Sequence, residues 1–189
     1  MTELTGIVLA AGAGTRMGRP KALLRTADGE PWVARSAKLL RAAGCARVIV
    51  VLGARATEAA TLVPAGNEIV VAENWAAGMG ESLRAGLAGA VGDAALITLV
   101  DLPELPLAVA SRMLAPPPDQ HTLRQAVFHG RPGHPVLIGR AHWPGVASVL
   151  AGDRGARDYL RVHRVVEVEC GDLFDGRDVD TINAQSEPG

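Results

Sequence analysis

A short, wholly apolar run opens directly onto glycines: residues 6–10 read GIVLA and residues 11–21 read AGAGTRMGRPK. A run this short and rich in branched side chains forms a strand buried on both faces, and a parallel sheet covered by helices on each side accommodates it. Arg47–Leu52 (RVIVVL), residues 68–72 and residues 95–100 (ALITLV) read as further strands. Helical stretches lie between them. Residues 31–43 place Trp32, Val33, Ser36, Leu39, Leu40 and Ala43 at helical spacing, and Gly44 supplies a stop. Residues 57–62 are short and alanine-rich, and residues 82–90 stack Leu83 and Leu87 four positions apart. This strand–helix alternation predicts an α/β fold with a mainly parallel sheet and helices on both faces.

The second half is less regular. Residues 107–114 read as a helix stopped by Pro116-Pro117-Pro118. Residues 125–128 and 135–138 read as two strands around the turn-rich His129-Gly130-Arg131-Pro132-Gly133, a small antiparallel element. Asp153 is placed to cap a helix reaching about Arg161, ahead of a last strand near residues 165–168.

At 189 residues, one domain spanning 1–189 is expected. Lys and Arg number 19 against 20 Asp and Glu, a balance that argues against a mainly electrostatic grip on nucleic acid. No apolar run approaches the ~18 residues of a membrane span, and the start lacks the features of a signal peptide. Cys45 and Cys170 are the only cysteines, too few for a disulfide framework and without zinc spacing, so a reducing cytoplasm is the expected location.

The glycine segment carries the chemistry. Gly12, Gly14 and Gly18 let the backbone approach a ligand and turn its N–H groups toward phosphate oxygens, and two cations follow, Arg16 and Lys21. Lysine occurs only at positions 21 and 38, so a lysine inside this motif is not there by default. No glycine stands four residues ahead of a Gly-Lys-Ser/Thr group, which excludes a P-loop. The spacing G-x-G-x-x-x-G departs from the dinucleotide fingerprint, and the second strand ends Leu52-Gly53-Ala54-Arg55 with no acid for a ribose, which argues against a nicotinamide dehydrogenase. Asp101 closes a buried strand at the edge where open α/β sheets take ligands; by residue type it is either a Mg²⁺ ligand or the cap of a helix near Pro103.

The stretch LAAGAGTRMGRPKALL resembles the opening signature of the molybdenum cofactor nucleotidyltransferases, MobA-like and MocA-like. The resemblance continues in order through Gly78-Met79-Gly80-Glu81-Ser82-Leu83-Arg84, Asp101-Leu102-Pro103, Gly133-His134-Pro135, Gly152-Asp153-Arg154-Gly155-Ala156-Arg157 and Asp178-Val179-Asp180-Thr181. It implies a three-layer, Rossmann-like nucleotidyltransferase fold. It also implies a reaction in which a phosphate on an acceptor, such as molybdopterin, displaces pyrophosphate from a nucleoside triphosphate.

On this resemblance Leu9, Ala10, Ala11, Gly12, Gly14, Thr15, Arg16, Lys21, Gly78, Met79, Ser82 and Asp101 bind the nucleotide. Arg16, Lys21 and Asp101 serve catalysis, Asp101 and Asp180 hold Mg²⁺, and His134 faces the acceptor. Within the acidic tail, Asp180 is preferred to Asp178 because it fits the motif D-[IV]-D-T, and Ser82 doubles as a helix cap. Ala11 in L-A-A-G favours CTP over GTP, although Gly14 stands where cytidine relatives often have Ser. A molybdoenzyme is a candidate partner. Two alternatives stay open: transfer to another phosphorylated acceptor such as a sugar 1-phosphate or transfer from GTP, and a non-catalytic accessory protein that holds the cofactor.

Overall fold

A computed structural model describes residues 2–179, without the side chains of Arg16 and Arg154. Seven strands form one sheet in the order β3-β2-β1-β4-β6-β5-β7. The parallel half comprises β1 (Leu4–Ala10), β2 (Arg47–Leu52), β3 (Glu68–Val71) and β4 (Ala94–Leu99). Beyond β4, β6 (Arg131–Gly139) runs antiparallel to both β4 and β5 (Leu123–Phe128), and β7 (Val166–Glu169) pairs parallel with β5. Only β6 therefore runs against the rest.

Alternate residues of the central strands feed two cores, as expected of strands buried on both faces. Val8, Val48, Val50 and Leu96 point to one face, where α1 (Trp32–Ala42), α2 (Ala56–Ala60) and α4 (Leu107–Met113) pack. Ile7, Leu9, Ile49, Val51 and Ile97 point to the other, beneath α3 (Met79–Gly89), α5 (Trp143–Val149) and α6 (Arg157–Val162). The expected three layers and mixed sheet are both present. No helix among the described residues is long and apolar enough to cross a membrane.

Some local expectations need correction. The turn between β5 and β6 is only His129-Gly130, both at positive φ (52° and 73°), and Arg131-Pro132-Gly133 already belong to β6. Helix α5 carries no expectation from sequence; its Pro144 lies in the first turn, where proline is well tolerated. Asp153 does not cap α6, whose N-terminal flank is Ala156.

Candidate active site

The glycine segment leaves β1 without entering an α-helix. It makes two short 3₁₀ turns, Thr15–Met17 and Lys21–Leu23, before α1 begins at Trp32. Gly14 starts the first turn at φ 60°, and a Cβ there would lie 2.0 Å from the carbonyl oxygen of Arg19, so the loop closes only around glycine. The next residues fold back and set Lys21 against the end of β4. Lys21 Nζ donates to Asp101 Oδ2 at 2.9 Å, with side chains 17% and 16% exposed.

Burial pushes the Asp101 carboxyl above the ordinary aspartate range; Lys21 pulls it back, and the nearby charge of Asp178 adds a smaller upward push. Its second oxygen, Oδ1, is buried and takes no hydrogen bond among the described residues. The chain returns to this spot near its end, where the Val179 N–H donates to the Asp101 carbonyl at 3.0 Å. Asp101 is therefore no helix cap: one carboxylate oxygen faces Lys21, and the other has no partner among the described residues.

Two distant motifs meet at the start of α3. Gly78 lies at φ 121°, and a Cβ on it would fall 2.4 Å from the carbonyl carbon of Gly152. Met79 N–H donates to Asp153 Oδ1 at 3.4 Å, so Asp153 caps α3 across space. Ser82, buried one turn inside α3, is not the N-cap; Gly78 holds that position.

These elements enclose two adjoining clefts. The first, ≈ 460 Å³, is lined by Leu9, Ala10, Ala11, Gly12, Gly14, Thr15, Lys21, Gly78, Met79, Ser82 and Asp101, all the residues that sequence assigned to the nucleotide except Arg16, whose side chain is not described. The second, ≈ 390 Å³, has an apolar floor of Ile97, Leu99, Val136 and Ile138 on β4 and β6, with Gln125, His134, Arg157 and Asp178 among its polar groups. Burial holds the His134 imidazole down to about 4, so it is neutral at physiological pH. Leu9, Met79, Leu99 and Asp153 belong to both clefts.

Residues 6–168 match the family described as MobA-like NTP transferase domain, which is most of the chain. The chain belongs to this family. Among relatives of the MobA-like chain, nicotine blue oxidoreductase of Paenarthrobacter nicotinovorans is 39% identical over 196 residues, covering 95% of this chain and 93% of that protein. Rv0371c of Mycobacterium tuberculosis superposes with a TM-score of 0.78 at 29% identity, covering 95% and 94% of the two chains, and has also been solved in complex with manganese. A nucleotidyl transferase from Methanothermobacter shares the fold at a TM-score of 0.81 and 22% identity, covering 95% and 92%.

The buried Asp101 Oδ1, which takes no hydrogen bond among the described residues, suits a divalent cation of the kind this family's chemistry uses, since a buried hard oxygen is a ligand such an ion favours. Asp180 lies outside the described residues. Several contributors to the clefts carried no site assignment from sequence. Asp153 and Arg157 sat inside a quoted motif without a cleft role, and Trp75 had no motif at all.

Proposed function

We propose that this MobA-like protein transfers a nucleoside monophosphate, CMP from CTP in preference to GMP from GTP, to a phosphorylated acceptor such as molybdopterin. The observation that carries this reading is the Lys21–Asp101 pair at the seam of two clefts. Asp101 lines the glycine-loop cleft, while its neighbours Leu102 and Asp178 line the apolar one. An oxygen of the acceptor phosphate attacks the α-phosphorus, the bond to the oxygen bridging α and β breaks, and pyrophosphate leaves with the bonding electrons. The acceptor phosphate is already ionised near neutral pH, so no general base is required.

The chain's contribution is positioning and charge. Backbone N–H groups of residues 11–15 hold the triphosphate, with Leu9, Ala10, Gly78, Met79 and Ser82 completing the nucleotide cleft. Arg16 and Lys21 neutralise charge that develops on the leaving pyrophosphate. Asp101, with Asp180 from the tail, holds Mg²⁺, which when bound neutralises charge on the phosphate oxygens. His134, neutral in its apolar cleft, offers the acceptor a hydrogen bond without adding charge. A molybdoenzyme is the natural recipient of the product, and a reducing cytoplasm suits the two free, buried cysteines.

A second reading has one observation in its favour: the relative at 39% identity is named an oxidoreductase. In that reading the first cleft holds the phosphates of a reduced cofactor, without the glycine spacing and ribose acid of the usual dinucleotide site, and the apolar cleft holds the group that is reduced. The two are separated by incubating the protein with Mg²⁺, each of the four triphosphates, and molybdopterin or its molybdenum form, and measuring pyrophosphate. A parallel arm follows oxidation of NADH and NADPH in the presence of a quinonoid dye. Pyrophosphate release that requires acceptor supports transfer. Its absence alongside rapid oxidation of the reduced nicotinamide supports the second reading.

A further inference from the structure

We propose that Trp75 is the wall against which the nucleobase lies. The inference rests on the first cleft being a nucleotide site, and it identifies which end of that cleft takes the base.

The sheet's carboxyl edge sets the order. Trp75–Ala77 follows β3, Gly53 follows β2, Ala11 follows β1 and Asp101 follows β4, and the strands lie in the order β3-β2-β1-β4. With neighbouring strands about 4.8 Å apart, Gly53 and Asp101 stand roughly 10 Å apart on opposite sides of the glycine loop. The charged pair therefore marks the phosphate end on the β4 side. The β2–β3 side is left for the base, and the apolar cleft, on β4 and β6, lies beyond the phosphates.

Trp75 fills that β2–β3 end. Its backbone N–H is tied to Ala72 at 3.1 Å, and Ala72 is tied to the end of β2 through Leu52 at 2.8 Å. A Cβ on Gly53 would sit 2.5 Å from Trp75 Cγ and 2.6 Å from the Ala11 carbonyl oxygen. The absence of a side chain at position 53 is thus what lets the indole sit against the loop's first residue. Trp75 packs partly on the core and partly opens into the cleft, where it is the sole aromatic among the described lining residues.

Aromatic residues make up only 3% of this chain. The other two tryptophans have structural places: Trp32 is buried in the core, and Trp143 donates its indole N–H to the Ile138 carbonyl. An indole bordering a phosphate loop suits base stacking, which tolerates any base because every base offers a π-face. Trp75 accordingly supplies affinity, and discrimination between bases falls to groups that reach the base edge.

Calorimetric titration of Trp75→Leu and Trp75→Phe with CTP, GTP and inorganic tripolyphosphate, all with Mg²⁺, tests this. Trp75→Leu should weaken both nucleotides about tenfold and leave tripolyphosphate unchanged, while Trp75→Phe should recover most of the nucleotide affinity. Nucleotide should change the tryptophan emission of the unaltered protein and not that of Trp75→Phe. Nucleotide binding unchanged in Trp75→Leu, or an equal loss of tripolyphosphate, would overturn the assignment. If Trp75→Leu does not fold, the emission of Trp75→Phe decides alone: a retained nucleotide response overturns it and a lost response supports it. An unaltered protein that binds tripolyphosphate but no nucleotide overturns the base wall only; one that binds neither overturns the nucleotide reading as well.

Discussion

The two clefts are built from different materials. The first is mostly main chain and charge: a glycine loop off β1, the Lys21–Asp101 pair, and the start of α3. The second is mostly side chain, an apolar floor on β4 and β6 with the neutral imidazole of His134 at its end on β6, closed by α6 and by the chain's return past Gly176. Main chain and a charge pair recognise phosphate whatever it is attached to, whereas a side-chain floor is specific to the group that rests on it. A family can therefore keep the first cleft and change its chemistry through the second, which fits a fold shared by proteins named nucleotidyl transferase and oxidoreductase.

The largest effect expected from this contrast lies at the seam. Asp101→Ala and Lys21→Ala should each lower transfer by about 10²–10³-fold in a folded protein. Lys38→Ala should be nearly silent, because Lys38 is 67% exposed and its ion pair with Glu30 lies at the surface. Initial rates of pyrophosphate release check all three, and equal losses in Lys21→Ala and Lys38→Ala would remove Lys21 from the site.

Next comes the loop itself, where two glycines should respond differently. Gly14→Ala must move the Arg19 carbonyl and adopt a left-handed conformation, so it should lose about 1–3 kcal/mol of stability and most nucleotide affinity. A Cβ on Gly12 meets nothing within 4 Å, so Gly12→Ala should keep its melting midpoint and lose affinity only where the methyl meets ligand. Thermal unfolding with and without CTP separates the two.

The contrast also explains what the sequence disclosed. The central parallel strands were readable to within a few residues, because strands buried on both faces leave uninterrupted apolar runs such as residues 48–52. That residues 9–15 and Lys21 line one cleft was readable because that part of the lining is contiguous in sequence. The second cleft draws on positions from Leu9 to Asp178, which only folding brings together. Asp153 shows the limit well: its capping chemistry was legible, but the helix it caps, α3, lies 74 residues away. Trp75 left no signal because the glycine that makes room for it, Gly53, lies in another loop, 22 residues earlier and after β2.

A smaller effect concerns base preference within the first cleft. If Ala11 marks a cytidine site, CTP with Mg²⁺ at 100 times its dissociation constant should stabilise by about 2.7 kcal/mol and raise the midpoint by roughly 5–10 °C. GTP at the same concentration should do less, and a larger GTP shift would reverse the preference.

The smallest belongs to the second cleft and to pH. His134 titrates at about 4 in the folded protein and near 6.5 when unfolded, so between those values the unfolded chain binds the extra proton. Stability should therefore fall as pH drops from about 6.5 toward 4, by at most about 3 kcal/mol from this group, and His134→Gln should flatten that part of the curve. Urea unfolding at several pH values reads the difference, and an unchanged slope would mean that His134 is not held neutral.

The central claim is that phosphorus, rather than hydride, moves across the seam between the clefts. The most direct measurement follows CTP labelled at the α- or the γ-phosphate, incubated with Mg²⁺ and molybdopterin, in the unaltered protein and in Asp101→Asn. Transfer predicts that α-label appears on the acceptor and γ-label in pyrophosphate, both lost in Asp101→Asn. Label that stays on CTP in every arm, while the same preparation oxidises reduced nicotinamide in the presence of a quinonoid dye, would contradict it.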